Sequence, residues 1–238
     1  MRPKATARFA KKKSRAQGWF RRLLWIVLAL VVGFYACCAL VLVLLKWVNP
    51  FTTAVQTERR IDSLLQHHTY HKRYTFVPMR RISPELQHAV IAAEDERFRE
   101  HAGIDWVELK KVVEKDIEKG KIGRGGSTIS QQLVKNLFLS TKRSLFRKGI
   151  EFTLVPMTEM ILGKDRILEL YLNVIEWGPG IFGAEAASQA YYKVAAAQVN
   201  REQAARLAAC IPSPLKRRPA AMGNYGELIQ IRMRQMGW

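Results

Sequence analysis

Between Leu23 and Leu45 the chain reads LLWIVLALVVGFYACCALVLVLL, with no charged residue. Roughly 20 apolar residues cross the hydrocarbon core of a bilayer as a helix, so this run commits the segment to an anchor. Trp19, Trp25 and Trp47 stand near its ends, where interfacial aromatics belong. Ahead of it lie Arg2, Lys4, Arg8, Lys11, Lys12, Lys13, Arg15, Arg21 and Arg22, and no acid. The positive-inside rule keeps that end cytoplasmic and sends the rest across. The run is too long for a typical signal-peptide core, and no clean small-x-small cleavage site follows it. An uncleaved, single-pass anchor is expected.

Roughly 190 residues remain beyond the anchor, enough for one domain with a real core. The chain carries a formal net charge of +19. Without the cations of the tail, the part beyond the anchor is still basic, and on an exported, tethered domain a basic surface points to anionic head groups or a phosphorylated lipid substrate, not to nucleic acid. Ordinary solvation by Lys and Arg fits equally. Cys37 and Cys38 lie inside the anchor and Cys210 alone outside it, so the exported part has no internal disulfide and rests on packing. No Cys/His spacing suggests structural zinc.

Four zones follow: a basic, flexible tail over 1–22, the anchor over 23–45, a polar and partly helical connector over 46–72, and a domain over 73–238. His67, His68 and His71 read as a solvated helix end, because nothing acidic lies beside them. Residues 74–78 suit a short extended segment. The domain reads as mainly α. Ser83-Pro84-Glu85 is an N-cap followed by proline at the first helical position. From there Leu86, Val90, Glu94 and Phe98 fall at i+4 steps on one face, with His101 two turns beyond Glu94 and Gly103 as a stop. Thr128 with Gln131 forms a capping-box pattern. A helix from about Leu145 is expected to kink or break at Pro156, and another to begin near Asp165 and end at Trp177-Gly178-Pro179-Gly180. Two more span Ala184–Lys193 and Asn200–Cys210.

Three runs carry chemistry. Glu94 has apolar neighbours at i−4 and i+4, so its carboxylate faces the interior or a cleft, and partial burial makes it more basic. Pairing with Arg97 at the edge of the core is the plainer alternative. Gly125-Gly126-Ser127-Thr128 lets a backbone approach a ligand and opens a helix whose free N–H groups suit an anion. Gln132, Lys135 and Asn136 share a face, natural to offer a sugar or phosphate. Arg147, Lys148 and Glu151 place two cations beside a carboxylate, either as a helix salt bridge or as a diphosphate site, direct or metal-bridged.

In that order the runs resemble family 51 glycosyltransferases, the peptidoglycan glycosyltransferases that polymerise lipid II. The motif Glu-Asp-x-x-Phe-x-x-His-x-Gly is met by Glu94, Asp95, Phe98, His101 and Gly103. Gly126, Ser127, Thr128, Gln131, Gln132, Lys135 and Asn136 meet the second motif, and Arg147, Lys148 and Glu151 the third. Lys164, Ile167, Leu168, Tyr171, Leu172 and Asn173 meet a fourth, and Gly180 and Gly183 leading into Ala190-Tyr191-Tyr192 resemble a fifth. Tyr192 runs directly into Lys193 where relatives often carry Phe-Gly-Lys. The resemblance covers about residues 75–220.

It implies a lysozyme-like α-helical domain with a small membrane-proximal jaw, and no transpeptidase domain. Ser213-Pro214-Leu215-Lys216 lacks a downstream Lys-Thr-Gly and reads as chance. The implied catalytic residues are Glu94 as base and Glu151 as second acid. Asp95, Phe98, His101, Gly126, Ser127, Thr128, Gln131, Gln132, Lys135, Asn136, Arg147 and Lys148 are the implied substrate-binding set. No cofactor is required, with a divalent cation (Mg2+ or Mn2+) at Glu151 left open. The implied partners are lipid II, the growing lipid-linked glycan, the membrane, and division or elongation complex proteins. Leu137, Phe138, Leu139, Leu145 and Phe146 suit either bilayer contact or core packing. Rival readings are a lysozyme-like glycan-cleaving enzyme and a non-catalytic lipid II scaffold.

Overall fold

The computed structural model describes residues 4–67, 69–119, 126–142 and 144–238. His68 and Gly125 lie outside the described residues. Helix α1 runs Lys4–Leu45, and its stretch Gly18–Leu45, 28 residues, is long and apolar enough to cross a membrane. Trp25, Leu30 and Val32 are exposed along it, as lipid-facing side chains would be. The helix begins at Lys4, inside the segment expected to be a flexible tail. The Lys, Arg, Ala and Gln residues there are strong helix formers, so the helical ladder continues through them.

The chain divides into two compact units, Met1–Val41 and Leu42–Trp238. In the second, residues 46–72 are packed into the unit. Helix α2 (Ala54–Leu65) lies on α5 (Ile129–Phe138). Glu58 accepts from the Thr141 N–H at 2.7 Å and its hydroxyl at 3.1 Å, and Arg59 pairs with the buried Glu176 at 2.9 Å.

Helix α3 (Pro84–Glu94) starts as its sequence dictates: the Ser83 hydroxyl accepts from the Glu85 N–H at 3.2 Å and Pro84 occupies the first turn. It packs on α8 (Arg201–Ala208) and α9 (Gly223–Gln235), burying Leu86, Ala89 and Val90 against Ala204, Ala205, Leu207, Ala208, Ile229 and Met233. Helix α4 spans Trp106–Lys119. Neither α4 nor α9 was expected from the sequence. In α4 Trp106, Val107, Val113 and Ile117 are exposed, and in α9 the buried stripe is only Gly226, Ile229 and Met233 beside exposed Leu228 and Ile231, so neither pattern announces a helix in the sequence.

Helix α6 (Leu145–Val174) packs along α5. Pro156 sits inside it without ending it, contrary to expectation. The break comes at Gly163, whose φ of 72° and ψ of 164° lie in a region open to glycine and strained for other residues. This agrees with a separate helix beginning near Asp165. After α6 the chain forms β2 (Glu176–Gly178) and β3 (Ile181–Phe182), which with β1 (Arg73–Tyr74) make a small sheet of order β1-β3-β2. The β1–β3 pair is parallel and the β2–β3 pair antiparallel. Helix α7 (Ala184–Tyr192) follows. Asn173 ties α6 to the segment after β1, accepting from Val77 N–H and donating to Val77 O, each at 2.9 Å.

Candidate active site

The i+4 pattern breaks immediately after Glu94. Helix α3 ends there, and Asp95 takes φ −164° and ψ 75° as its C-cap. Phe98 and His101 therefore belong to the following loop, not to the same helical face, although Phe98 is fully buried. The physical reason is long-range. One Asp95 oxygen accepts from the Ile129 N–H at 3.0 Å, at the first turn of α5, and the other lies 2.9 Å from His101 Nε2. The Gly103 N–H donates to His101 Nδ1 at 3.0 Å, which leaves the ring proton on Nε2 to donate to Asp95. The Thr128 hydroxyl then donates to the Gly103 carbonyl at 2.6 Å. Gly103 has φ +91°, and a Cβ there would run into Val155 and lie 2.8 Å from Glu159 Cγ. These bonds weld the α3–α4 loop to the head of α5.

The same lattice accounts for other predicted positions. The capping box is present: Thr128 Oγ1 accepts from the Gln131 N–H at 3.2 Å, and Gln131 Oε1 from the Thr128 N–H at 3.0 Å. Both residues are buried. Asn136, one turn on from Gln132, does not offer its amide outward. It is buried and donates to the Gln132 carbonyl one turn back at 2.8 Å, a local bond that short amides favour. Asp95, His101 and Asp105 bring their polar atoms within 4.8 Å of one another. Hydrogen bonds explain the cluster, since Asp105 accepts from Arg97 at 3.3 Å and the Glu108 N–H at 2.9 Å.

A second group faces the other way. Gln132 Nε2 donates to Glu94 Oε2 at 2.6 Å and lies 3.4 Å from the Ser127 carbonyl. Burial pushes the Glu94 carboxyl above the usual carboxylate range. The Gln132 hydrogen bond, Lys135 and Arg217 pull it back, and Asp95 pushes it further up. Burial also lowers the Lys135 ammonium, opposed by Glu151 and Glu94 and reinforced by Arg147 and Lys148. Lys135 thus lies in the fields of both acids and makes no ion pair within 4 Å among the described residues.

Beside it, Glu151 is almost fully buried. Arg147 binds one of its oxygens at 2.8 Å and Lys148 binds the other. Lys148 also donates to the Ser127 hydroxyl at 3.2 Å and sits 5.1 Å from the Phe152 ring centroid. With both Glu151 oxygens held by cations, this donor set does not fit a divalent metal, which requires free carboxylate ligands. Gly126, at φ +78°, supplies the turn before Ser127. A cavity of about 500 Å³ lined by Tyr191, Tyr192, Arg206 and Arg218 shares no residue with this cluster.

The arrangement is a basic carboxylate, a half-buried ammonium, and two cations fixed by an anion. That set can take a proton and neutralise a leaving diphosphate. The sequence profile of the family described as Transglycosylase matches residues 60–236.

The chain belongs to the transglycosylase family. A biosynthetic peptidoglycan transglycosylase of Janthinobacterium sp. is 51% identical over 170 residues, 71% of this chain and 74% of that protein. The protein of the same name from Laribacter hongkongensis is 48% identical over 169 residues, with the same shares. That of Methylobacillus flagellatus is 46% identical over 224 residues, 91% of this chain and 95% of its own.

Within this transglycosylase site, sequence reasoning overlooked three contributors. In the sequence Tyr171 is only a motif position, yet its buried hydroxyl reaches Gln132 Oε1 at 2.9 Å. Arg217, in the segment after α8, acts on Glu94 through its charge and donates to the Ala209 carbonyl at 2.7 Å. Glu159 accepts from Ser130 and, at 2.8 Å, from Lys164, whose ammonium lies 4.5 Å from the Phe98 ring centroid. No local spacing rule points to Arg217. The other two sit in or beside the fourth motif, whose side-chain directions depend on the break at Gly163.

Proposed function

We propose that Glu94 is the general base of a transfer reaction that lengthens lipid-linked glycan. As a transglycosylase-family member whose relatives are named for peptidoglycan synthesis, the chain is a peptidoglycan glycosyltransferase of cell-wall biogenesis. Its substrate is lipid II and glycan, and α1 is consistent with a single-pass membrane anchor.

The finer reading concerns atoms. The Glu94 carboxylate takes the proton from the 4-hydroxyl of lipid II as that oxygen attacks the anomeric carbon of the growing chain. The new bond is β-1,4. The bond from the anomeric carbon to phosphate breaks, and its electron pair leaves with the polyprenyl diphosphate. A sugar hydroxyl is a weak nucleophile and needs a placed base. A diphosphate needs charge neutralisation more than a proton, and Lys135, Arg147 and Lys148 are held ready to provide it. Glu151 orients Arg147 and Lys148. The step is written with Arg147 and Lys148 on the Glu151 oxygens and assigns no role to a metal. The basic residues before α1's apolar stretch favour a cytoplasmic N-terminus and an extracytoplasmic domain at the inner membrane. Exposed Leu145 and Phe146, the first residues of α6, suit contact with that bilayer.

The observation that carries this reading is the 2.6 Å bond from Gln132 to a carboxylate whose basicity burial has raised. The test is labelled lipid II given to the purified full-length protein. Long, lysozyme-sensitive glycan is expected from the wild type, and from Glu94→Gln a rate lower by about 10² or more. Normal polymerisation by Glu94→Gln would end the assignment. Release of fragments from finished peptidoglycan would favour a glycan-cleaving enzyme instead.

A further inference from the structure

Gln132 has two ends, and only one arrangement of them serves Glu94. Its Nε2 donates to the carboxylate at 2.6 Å, and its Oε1 accepts from the Tyr171 hydroxyl at 2.9 Å. Rotating the amide by half a turn would place Oε1 against the carboxylate, oxygen facing oxygen. The Tyr171 proton would then lose its acceptor in a fully buried position. An unmatched buried polar group of this kind is costly. Tyr171 is anchored in α6 and Gln132 in α5, so the two helices that pack most closely in the site share this contact.

We propose that Tyr171 is a positioning residue for the base: its hydroxyl locks the Gln132 amide with N–H toward Glu94, and so fixes the carboxylate's direction and its readiness to accept a proton. This rests on the reading of Glu94 as base. Burial holds the Tyr171 hydroxyl well above its ordinary ionisation range, helped by the nearby Glu94 and Asp95, so it remains a donor at every working pH. The N–H from Gln132 favours the charged form of Glu94 and opposes the burial that disfavours it. The other charged groups acting on Glu94 are Lys135 from α5, Arg217 from the segment after α8, and Asp95 beside it. None of them touches the Gln132 amide oxygen that Tyr171 holds.

Tyr171→Phe removes one oxygen and frees the amide. With the N–H no longer held on it, Glu94 should become a carboxyl that ionises less readily. In the full-length protein assayed on labelled lipid II, the acid limb of the kcat/KM profile should move to higher pH. At the optimum, kcat should fall about tenfold, the size expected from losing one buried hydrogen bond, with KM changed by less than about twofold. Gln132→Met should move the limb the same way, and adding Tyr171→Phe to it should move it no further. A role for Tyr171 in packing alone would lower activity and leave the limb in place, and that result overturns the proposal.

If Tyr171→Phe loses its cooperative melt, the wild type still decides. The side-chain amide resonances of Gln132 should show a single orientation and titrate with Glu94, and a rotating or non-titrating amide overturns the proposal. The underlying reading fails separately. If the residual activity of Glu94→Gln keeps the same acid limb, Glu94 is not the base. If that limb vanishes in Glu94→Gln but stays unmoved in Tyr171→Phe, only the lock is lost.

Discussion

Glu94 and Asp95 are adjacent carboxylates with opposite fates. Asp95 is turned inward, with one oxygen on the Ile129 N–H and the other on His101. Glu94, the last residue of α3, faces Gln132 in the field of Lys135. The end of the helix separates the two jobs. An acid whose lone pairs are filled by fixed donors holds structure together. An acid left short of donors, and half-buried, keeps the basicity that chemistry needs.

The sharpest way to break this contrast is to neutralise each acid and ask what is lost. Glu94→Gln should lower the polymerisation rate by about 10²–10⁴. Its melting temperature should hold or rise, because the folded state favours the neutral form. The sign follows from the raised ionisation range of Glu94: folding stability falls as pH rises through that range, and a neutral amide escapes the loss. Asp95→Ala should do the reverse. It strands the Ile129 N–H and the His101 ring and should cost about 2–4 kcal/mol in a denaturant melt. If Asp95→Ala melts normally, or Glu94→Gln unfolds, the division of labour is wrong.

Lys135 gives a smaller effect that refines the active half. Burial lowers its ammonium, so activity should fall on the alkaline side at a pH below the ordinary lysine range. Lys135→Gln should lose about 10² in rate and flatten that alkaline limb. A limb unchanged in the variant would assign it to another group. The smallest effect refines the structural half. Thr128→Val removes the cap of α5 and the bond to Gly103 and should cost about 1–2 kcal/mol by thermal melt, with KM for lipid II nearly unchanged.

What could be read from the sequence was what is local. The anchor is a composition signal. The Ser83 and Thr128 caps are bonds over two or three residues, and both are formed. The order of motifs located Glu94, Lys135 and the Arg147–Glu151 group. The end of α3 could not be read, because Phe98 is apolar and keeps the i+4 rhythm. What stops the helix is a bond from Asp95 to a residue 34 positions later. Similarly, Pro156 carries the stronger breaking signal, but the backbone turns at Gly163. Asn136 occupies a motif position on the predicted face, yet its short amide satisfies itself on its own helix. Arg217 enters only through tertiary folding.

Gly163 ties these observations together. On one side of it lie Arg147, Lys148 and Glu151, and on the other Tyr171 and Asn173. A Cβ at this position would meet no atom within 4 Å, so space is not what reserves it for glycine. The constraint is handedness alone. One residue that touches no substrate therefore sets the angle between the cation-bearing arm and the arm that orients the base. A methyl group added here would misalign both arms together.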